Sequence, residues 1–158
     1  MLNEDDFRIL KELRRDSRLT TRELGKLTKL SAATVHRRMT RLVGEGYIRQ
    51  FTIIPDWKKV EKTMLAYILV NIDNQLLKRK NMRQDDMADI LKKHPFIFDC
   101  ATITGRNDVI MKVRAKDTNE LNRFINWLRG IEGVLRTETV VTLYEALKDD
   151  NPFDNPEF

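Results

Sequence analysis

The stretch "LSAATVHRRMTRLVGEGYIRQF", residues 30–51, decides how the chain is read. Ser31 is a favoured helix N-cap, because its hydroxyl accepts a backbone N–H that the first turn leaves without a partner. Val35, Met39, Leu42 and Val43 then recur at i, i+4, i+7 and i+8, which predicts one buried stripe. Gly44 and Gly46 end the helix. The face left free carries Ala32, Ala33, Thr34, His36, Arg37, Arg38 and Arg41, and no acidic residue interrupts it. On its own this is either a solvated basic face or a helix that reads DNA. The flanking sequence has to decide.

Upstream, Ile9, Leu10 and Leu13 share one face of a first helix, with Leu2 and Phe7 nearby. Asp5 and Asp6 suit its start and Arg14 and Arg15 its end, as the helix dipole favours. Thr20 and Glu23 make a Thr-x-x-Glu capping box that opens a second helix, with Leu24 and Leu27 facing inward. Gly25 costs about 1 kcal/mol against Ala in a helix interior, so its presence predicts a close backbone approach there, read as a helix crossing. "TKL" (28–30) is short enough to join helices two and three as a helix-turn-helix. "YIRQFTII" (47–54) is rich in aromatic and β-branched residues and reads as a strand, broken by Pro55-Asp56.

Downstream the rhythm changes. "MLAYILVNID" (64–73) is a strand; 74–83 is polar and loop-like; 84–93 is a helix with Met87, Ile90 and Leu91 inward. "FIFDCATIT" (96–104) and "DVIMKVRA" (108–115) flank Gly105-Arg106-Asn107, a hairpin signal. Asp117 and Glu120 suggest a capping box for a helix that buries Leu121, Phe124, Ile125 and Leu128 and stops at Gly130. "VLRTETVVTLYEAL" (134–147) is the last strand. The order β-α-β-β-α-β is ferredoxin-like. The expected class is therefore α+β, with an N-terminal helix-turn-helix (winged-helix-like) domain and a C-terminal ferredoxin-like domain. The boundaries are 1–50 for the helix-turn-helix, 51–63 for a strand linker, 64–147 for the second domain and 148–158 for an acidic flexible tail. Both helices fall on one sheet face, so a second copy of the chain is expected on the other.

Charge agrees with this division. Residues 1–60 hold 14 Lys/Arg against 8 Asp/Glu, whereas 61–158 hold 15 against 16. The excess positive charge sits on the helical part and points to an acidic partner such as nucleic acid. The longest unbroken apolar run, Met64 to Val70, is too short to cross a bilayer. Asn3, Glu4, Asp5 and Asp6 are the wrong chemistry for a signal peptide, and Cys100 is the single cysteine. A cytoplasmic protein without metal or cofactor is expected.

These residues resemble the Lrp/AsnC (leucine-responsive, feast/famine) transcription regulators. "LNEDDFRIL" is similar to the family's opening Leu-Asp-x-x-Asp-x-x-Ile-Leu. "SRLTTRELGKLTKLSAATVHRRMTRLVGEGYIRQF" follows its helix-turn-helix nearly position for position. "ITGRNDVIMKV" resembles its Thr-Gly-x-x-Asp hairpin, and "IEGVLRTETVVTL" its final strand. The likeness covers roughly residues 1–147. Gly25 where Ala is usual, the charged segment 74–84 and the acidic tail depart from it. The resemblance implies double-stranded DNA with a roughly palindromic site as partner, homo-oligomers from dimer to octamer, and a small effector, typically an amino acid.

In a helix-turn-helix the third helix enters the major groove with its N-terminal side chains at base edges. That assigns Ala33, Thr34, His36 and Arg37 to the vicinity of bases, Arg38 and Arg41 mainly to phosphates, and Thr20, Thr21 and Arg22 to a phosphate at the second helix N-terminus, with Ser31 counted in the same DNA-binding set. By resemblance, Gly105, Arg106, Asp108, Thr137 and Thr139 would hold the effector, with Asp108 toward its ammonium group. Three rivals remain. Siroheme decarboxylases share the architecture but carry histidines in the ferredoxin-like strands, and here the only histidines are His36 and His94. An RNA-binding sheet would need stacking aromatics beside basic residues, which "DVIMKVRA" lacks. The third is architectural DNA coating with little sequence choice. No catalytic residues stand out.

Overall fold

The computed structural model describes residues 1–145, which form two compact units, 1–54 and 55–145. The first is three helices, α1 (Glu4–Arg15), α2 (Thr21–Thr28) and α3 (Ala32–Gly44). Each starts on a polar cap. Asn3 with Asp6 and Thr20 with Glu23 form reciprocal capping boxes, and the Ser31 side chain accepts from the Thr34 N–H. Ile9, Leu10, Leu13, Leu24, Val35 and Leu42 make the core, each contributing about 1.5–3 kcal/mol by burial. Leu27 and Val43, expected inward, are exposed, and Met39 is half-buried. At 3.6 residues per turn Val43 lies about 80° round the helix from Val35, at the edge of what two neighbouring helices cover.

The turn between α2 and α3 folds back on α2. Lys29 sits in the left-handed region at φ 61°, and the N–H groups of Lys29 and Leu30 both donate to the Gly25 carbonyl. A Cβ on Gly25 would lie 2.8 Å from the Leu30 carbonyl oxygen. The close approach expected at Gly25 is therefore made by turn backbone and not by a crossing helix.

Residues 47–54 and the linker 51–63, expected as strand, contain none. The chain runs without regular structure to Asp56 and then turns over 57–61. A strand needs a hydrogen-bonded neighbour, and no described strand serves this segment. The wing implied by a winged-helix reading is accordingly not formed.

The second unit comprises β1 (Met64–Ile72), α4 (Asn74–Arg79), α5 (Gln84–Leu91), β2 (Ile97–Thr102), β3 (Val109–Ala115), α6 (Thr118–Arg129) and β4 (Val134–Val141). The sheet order is β2-β3-β1-β4, all antiparallel. This is the ferredoxin-like βαββαβ arrangement with α4 added where a loop was expected. Asp73 nucleates α4 by accepting the N–H groups of Gln75 and Leu76, and Leu77 anchors it in the core. Ala66, Ile68, Val70 and Ile72 of β1 and Val109, Met111, Val113 and Ala115 of β3 face the helices. They meet Leu77, Met87, Leu91, Leu121, Phe124 and Leu128. Ile90, expected inward, is exposed. Asp117 caps α6 by accepting the Glu120 N–H, but Glu120 accepts the Lys116 N–H and so does not close the box. Gly133, at φ 95°, leads into β4, where a Cβ would lie 2.9 Å from Met87 Cε.

The sheet's other face carries Tyr67, Phe98 and Val140, with Phe98 and Val140 about half exposed at 49% and 48%. Arg114 is buried there, bonded to both Glu145 carboxylate oxygens, its guanidinium 4.4 Å from the Trp57 ring centroid. β4 ends at Val141, short of the expected 147. The tail 148–158 lies outside the described residues. No described helix is long and apolar enough to cross a membrane.

Candidate nucleic-acid interface

The N-terminal half of α3 is the most exposed part of the reading helix. Ser31, Ala32, Ala33, His36 and Arg37 are exposed and Thr34 is half-buried. The Ser31 hydroxyl accepts the Thr34 N–H at 3.1 Å and lies 2.9 Å from Thr34 Oγ1, so both hydroxyls serve the cap. The first turn has no acidic residue, which leaves the positive end of the helix dipole facing outward. Ala33 and Thr34 offer methyl groups, and Arg37 a forked donor, the chemistry that meets a thymine methyl and a guanine edge in the major groove.

Arg38 and Arg41 do not lie on the free face where the helical pattern puts them. Arg38 donates through Nη1 to Asp6 Oδ1 at 2.9 Å and to Asn3 Oδ1 at 3.0 Å, and through Nη2 to Asp5 Oδ2 at 2.8 Å. Arg41 donates through Nη2 to Asp6 Oδ2, which also accepts the Asn3 N–H at 3.0 Å. Asp6 is 0% exposed and the Arg38 side chain 18%. Burial alone would raise the Asp6 carboxyl. The Asn3 backbone N–H and the two guanidinium groups outweigh it and hold its pKa below the ordinary value. The Nε–H groups of both arginines are buried without a partner among the described residues. Exposed ion pairs contribute about 0–1 kcal/mol, but removing one member of a buried pair costs about 3–5 kcal/mol. Asp6 belongs to the second class. Sequence reading missed Asn3, Asp5 and Asp6 as partners of the reading helix; their only local signal is the Asn-x-x-Asp cap.

At the α2 N-terminus, Thr20 is engaged with Glu23. Glu23 Oε2 accepts the Thr20 N–H at 2.8 Å and its hydroxyl at 2.7 Å, bonds that keep the Glu23 carboxyl below its ordinary pKa. A built-in anion thus stands where a phosphate was expected. Thr21 is half-buried and Arg22 exposed.

The second set of residues gathers at the end of β1. Gly105 and Arg106 are exposed, Gly105 with φ 118°. The Arg106 carbonyl accepts from the Asn71 amide at 2.6 Å. Asp108 Oδ2 accepts the Ile72 N–H at 2.8 Å and Oδ1 accepts from Gln84 Nε2 at 2.9 Å, while the same Gln84 amide donates to Asn74. Asp108 therefore ties the hairpin to β1 and α5, and Asn71, Asn74 and Gln84 are partners the sequence pattern did not single out. Thr137 pairs with Val70 and Thr139 with Ile68. Thr137 Oγ1 accepts from Arg129 Nε of α6 at 3.0 Å. The hairpin and the start of β4 thus flank one sheet end, with the threonines turned toward the helical layer.

Comparison with known proteins matches both units. Residues 2–49 match a family described as winged helix-turn-helix DNA-binding, and residues 65–153 the Lrp/AsnC ligand binding domain. The HTH-type transcriptional regulator FL11 of Pyrococcus horikoshii is 35% identical over 142 residues, covering 90% of this chain and 89% of that protein. An uncharacterized HTH-type transcriptional regulator of Pyrococcus abyssi is 34% identical over 95% of this chain and 97% of its own. Among solved structures, a transcriptional regulator of Neisseria meningitidis in complex with L-Met aligns with TM-score 0.85 and 26% identity over 96% of both chains. LrpC of B. subtilis aligns with TM-score 0.78 and 29% identity over 92% of this chain and 97% of its own. The ligand-domain match alone spans more than half of the sequence and the helix-turn-helix match takes up most of the rest, so the chain belongs to the Lrp/AsnC family of DNA-binding transcription regulators.

Proposed function

We propose that this regulator reads duplex DNA with Ala33, Thr34, His36 and Arg37 of α3, backed by Arg22. The observation that carries the reading is the exposed, acid-free N-terminal half of α3, set on a capped and packed three-helix unit. Arg38 and Arg41 hold this helix to α1 and are assigned no phosphate. Residues 1–50 act as the DNA-binding domain, 51–63 as the linker and 64–147 as the oligomerising, effector-binding domain. The site of action is the cytoplasm.

The apolar residues left on the open sheet face support self-association. Antiparallel sheets tolerate one wet face, but Tyr67, Phe98 and Val140 make this one apolar in patches. A second copy is the occupant, and a two-fold pair presents two reading helices to a roughly palindromic site. The effector is a small amino acid held at the hairpin 105–108 and the start of β4. Backbone N–H groups near Gly105 suit a carboxylate. Asp108, with both oxygens already hydrogen-bonded, orders that hairpin as well as facing the ligand's ammonium. The L-Met bound to the Neisseria regulator makes methionine the first compound to test.

The tetrapyrrole-enzyme alternative gains nothing from the histidines. His36 is exposed on α3, and His94 packs 4.1 Å from the Trp127 ring centroid and 4.8 Å from that of Phe124, with Nδ1 accepting the Phe96 N–H.

Two measurements test the reading. Duplex binding should weaken by about 1–3 kcal/mol in Arg37→Ala, with relaxed base preference at one position. Unchanged affinity and preference would remove Arg37 from the reading set. Calorimetry with the common amino acids should give saturable heat for at least one; no heat from any would remove them as effectors.

A further inference from the structure

We infer that Asp6 is a positioning residue for DNA recognition: it fixes the reading helix by holding Arg38 and Arg41, and so keeps both cations away from the phosphate backbone. The inference rests on the DNA-reading role of α3. Three observations carry it. The bonds run between elements, from the first turn of α1 to the middle of α3, where Arg38 and Arg41 lie about one and two turns beyond Thr34 and Arg38 directly follows Arg37. Asp6 is fully buried and touches both arginines, one through each carboxylate oxygen, so α3 cannot rotate or slide without breaking a bond. Both Nε–H groups remain unpartnered, a poor arrangement for stability alone. An apolar trio of similar volume would commonly hold two helices as well or better. What the ionic arrangement adds is direction, since a forked guanidinium accepts only a narrow range of carboxylate positions.

The same contacts set the balance between specific and general binding. Two arginines on a DNA-facing helix would, if released, reach phosphates and strengthen binding to any sequence. Asp6, with Asp5 on Arg38, removes that option. Specificity thus gains twice, from the orientation of Thr34 and Arg37 and from the restraint on two general contacts.

The test uses the full chain and two duplexes of equal length, one enriched by the wild-type protein from a random pool and one shuffled. Both are titrated over a series of salt concentrations. Asp6→Asn should lower the ratio of specific to shuffled affinity by about 10- to 100-fold. Its affinity for the shuffled duplex should rise, with a salt slope steeper by about 0.9 for each arginine that reaches a phosphate. A purely structural loss would weaken both duplexes together. An unchanged ratio and slope in a variant that keeps its helical circular dichroism would overturn the inference. If Asp6→Asn loses that signal, Asp5→Asn decides, because it frees one arm of Arg38 and leaves Asp6 in place. It should show a smaller fall in the same ratio, and an unchanged ratio overturns the inference. Arg37→Ala in the same titration separates the two levels: if it binds both duplexes as the wild type does, the DNA-reading role fails, whatever Asp6 does.

Discussion

Four cationic or titratable side chains follow one another along α3, and their neighbours sort them. His36 and Arg37 are exposed, whereas Arg38 and Arg41 turn back to Asp5 and Asp6. Helical periodicity assigns all four to the same free face. It fails for Arg38 and Arg41 because a long side chain reaches several ångströms sideways toward a buried carboxylate, and that carboxylate lies more than thirty residues away in sequence. Gly25 shows the opposite case. Its cost as a helix residue signals a close approach, and only the partner is misread: the Leu30 carbonyl takes the place of a crossing helix. Replacing Gly by Ala in a helix ordinarily gains about 1 kcal/mol. Gly25→Ala should lack that gain, because its Cβ meets a backbone oxygen that both Lys29 and Leu30 help to fix. Thermal unfolding checks this; a rise in Tm worth the full propensity difference would contradict it. Lys29, left-handed at φ 61°, predicts the reverse. Lys29→Gly should stabilise by up to about 1 kcal/mol, since the αL region costs a non-glycine residue about that much.

At the level of elements, helices and paired strands are legible and the linker is not. The capping box at Thr20 and the apolar strand segments of β1 and β3 express local chemistry that the fold retains. The segment 47–54 has strand composition but no neighbour to pair with, so composition alone does not make it a strand. In 74–83 charged residues mask a helix that Asp73 caps and Leu77 anchors. The two units should also respond differently to acid. His94 is half-buried among aromatic rings, and desolvation lowers its pKa below the ordinary 6.5. The unfolded chain then binds more protons there, so the second unit loses stability as pH falls below about 6.5. In the first unit the Asp6 pKa is depressed. Its stabilisation is present above the ordinary carboxylate range and is lost only as pH falls below about 4. Both tryptophans, Trp57 and Trp127, lie in the second unit. Denaturation followed by tryptophan fluorescence should therefore show a midpoint that drops from pH 7 to pH 5.5, and His94→Phe should flatten that drop. An equal drop in the His94→Phe protein would assign the effect to other groups.

At the scale of the whole molecule, the chemistry of the second unit is legible as architecture before it is legible as a site. The order βαββαβ follows from periodicity, and the uncovered sheet face follows from having helices for only one side. The effector residues named from the hairpin do gather at one end of β1, yet Gln84, Asn71 and Arg129 complete their bonding. Those three sit on separate elements, and no motif spacing links them. If a second copy covers the open face, Tyr67→Glu, opposite Val140 in the sheet, should shift sedimentation equilibrium toward monomer by at least about tenfold in Kd, the effect of about 1.4 kcal/mol. An unchanged association constant would place the interface elsewhere. The proposed two-fold pair would set the spacing of two reading helices, so the DNA-reading role is tested most directly by selecting duplexes from a random pool with the full chain at a stated salt concentration. The account predicts one enriched motif, built of two inverted half-sites whose centres lie about 34–36 Å apart or a multiple of that. A pool that is bound but stays random through successive rounds would contradict it.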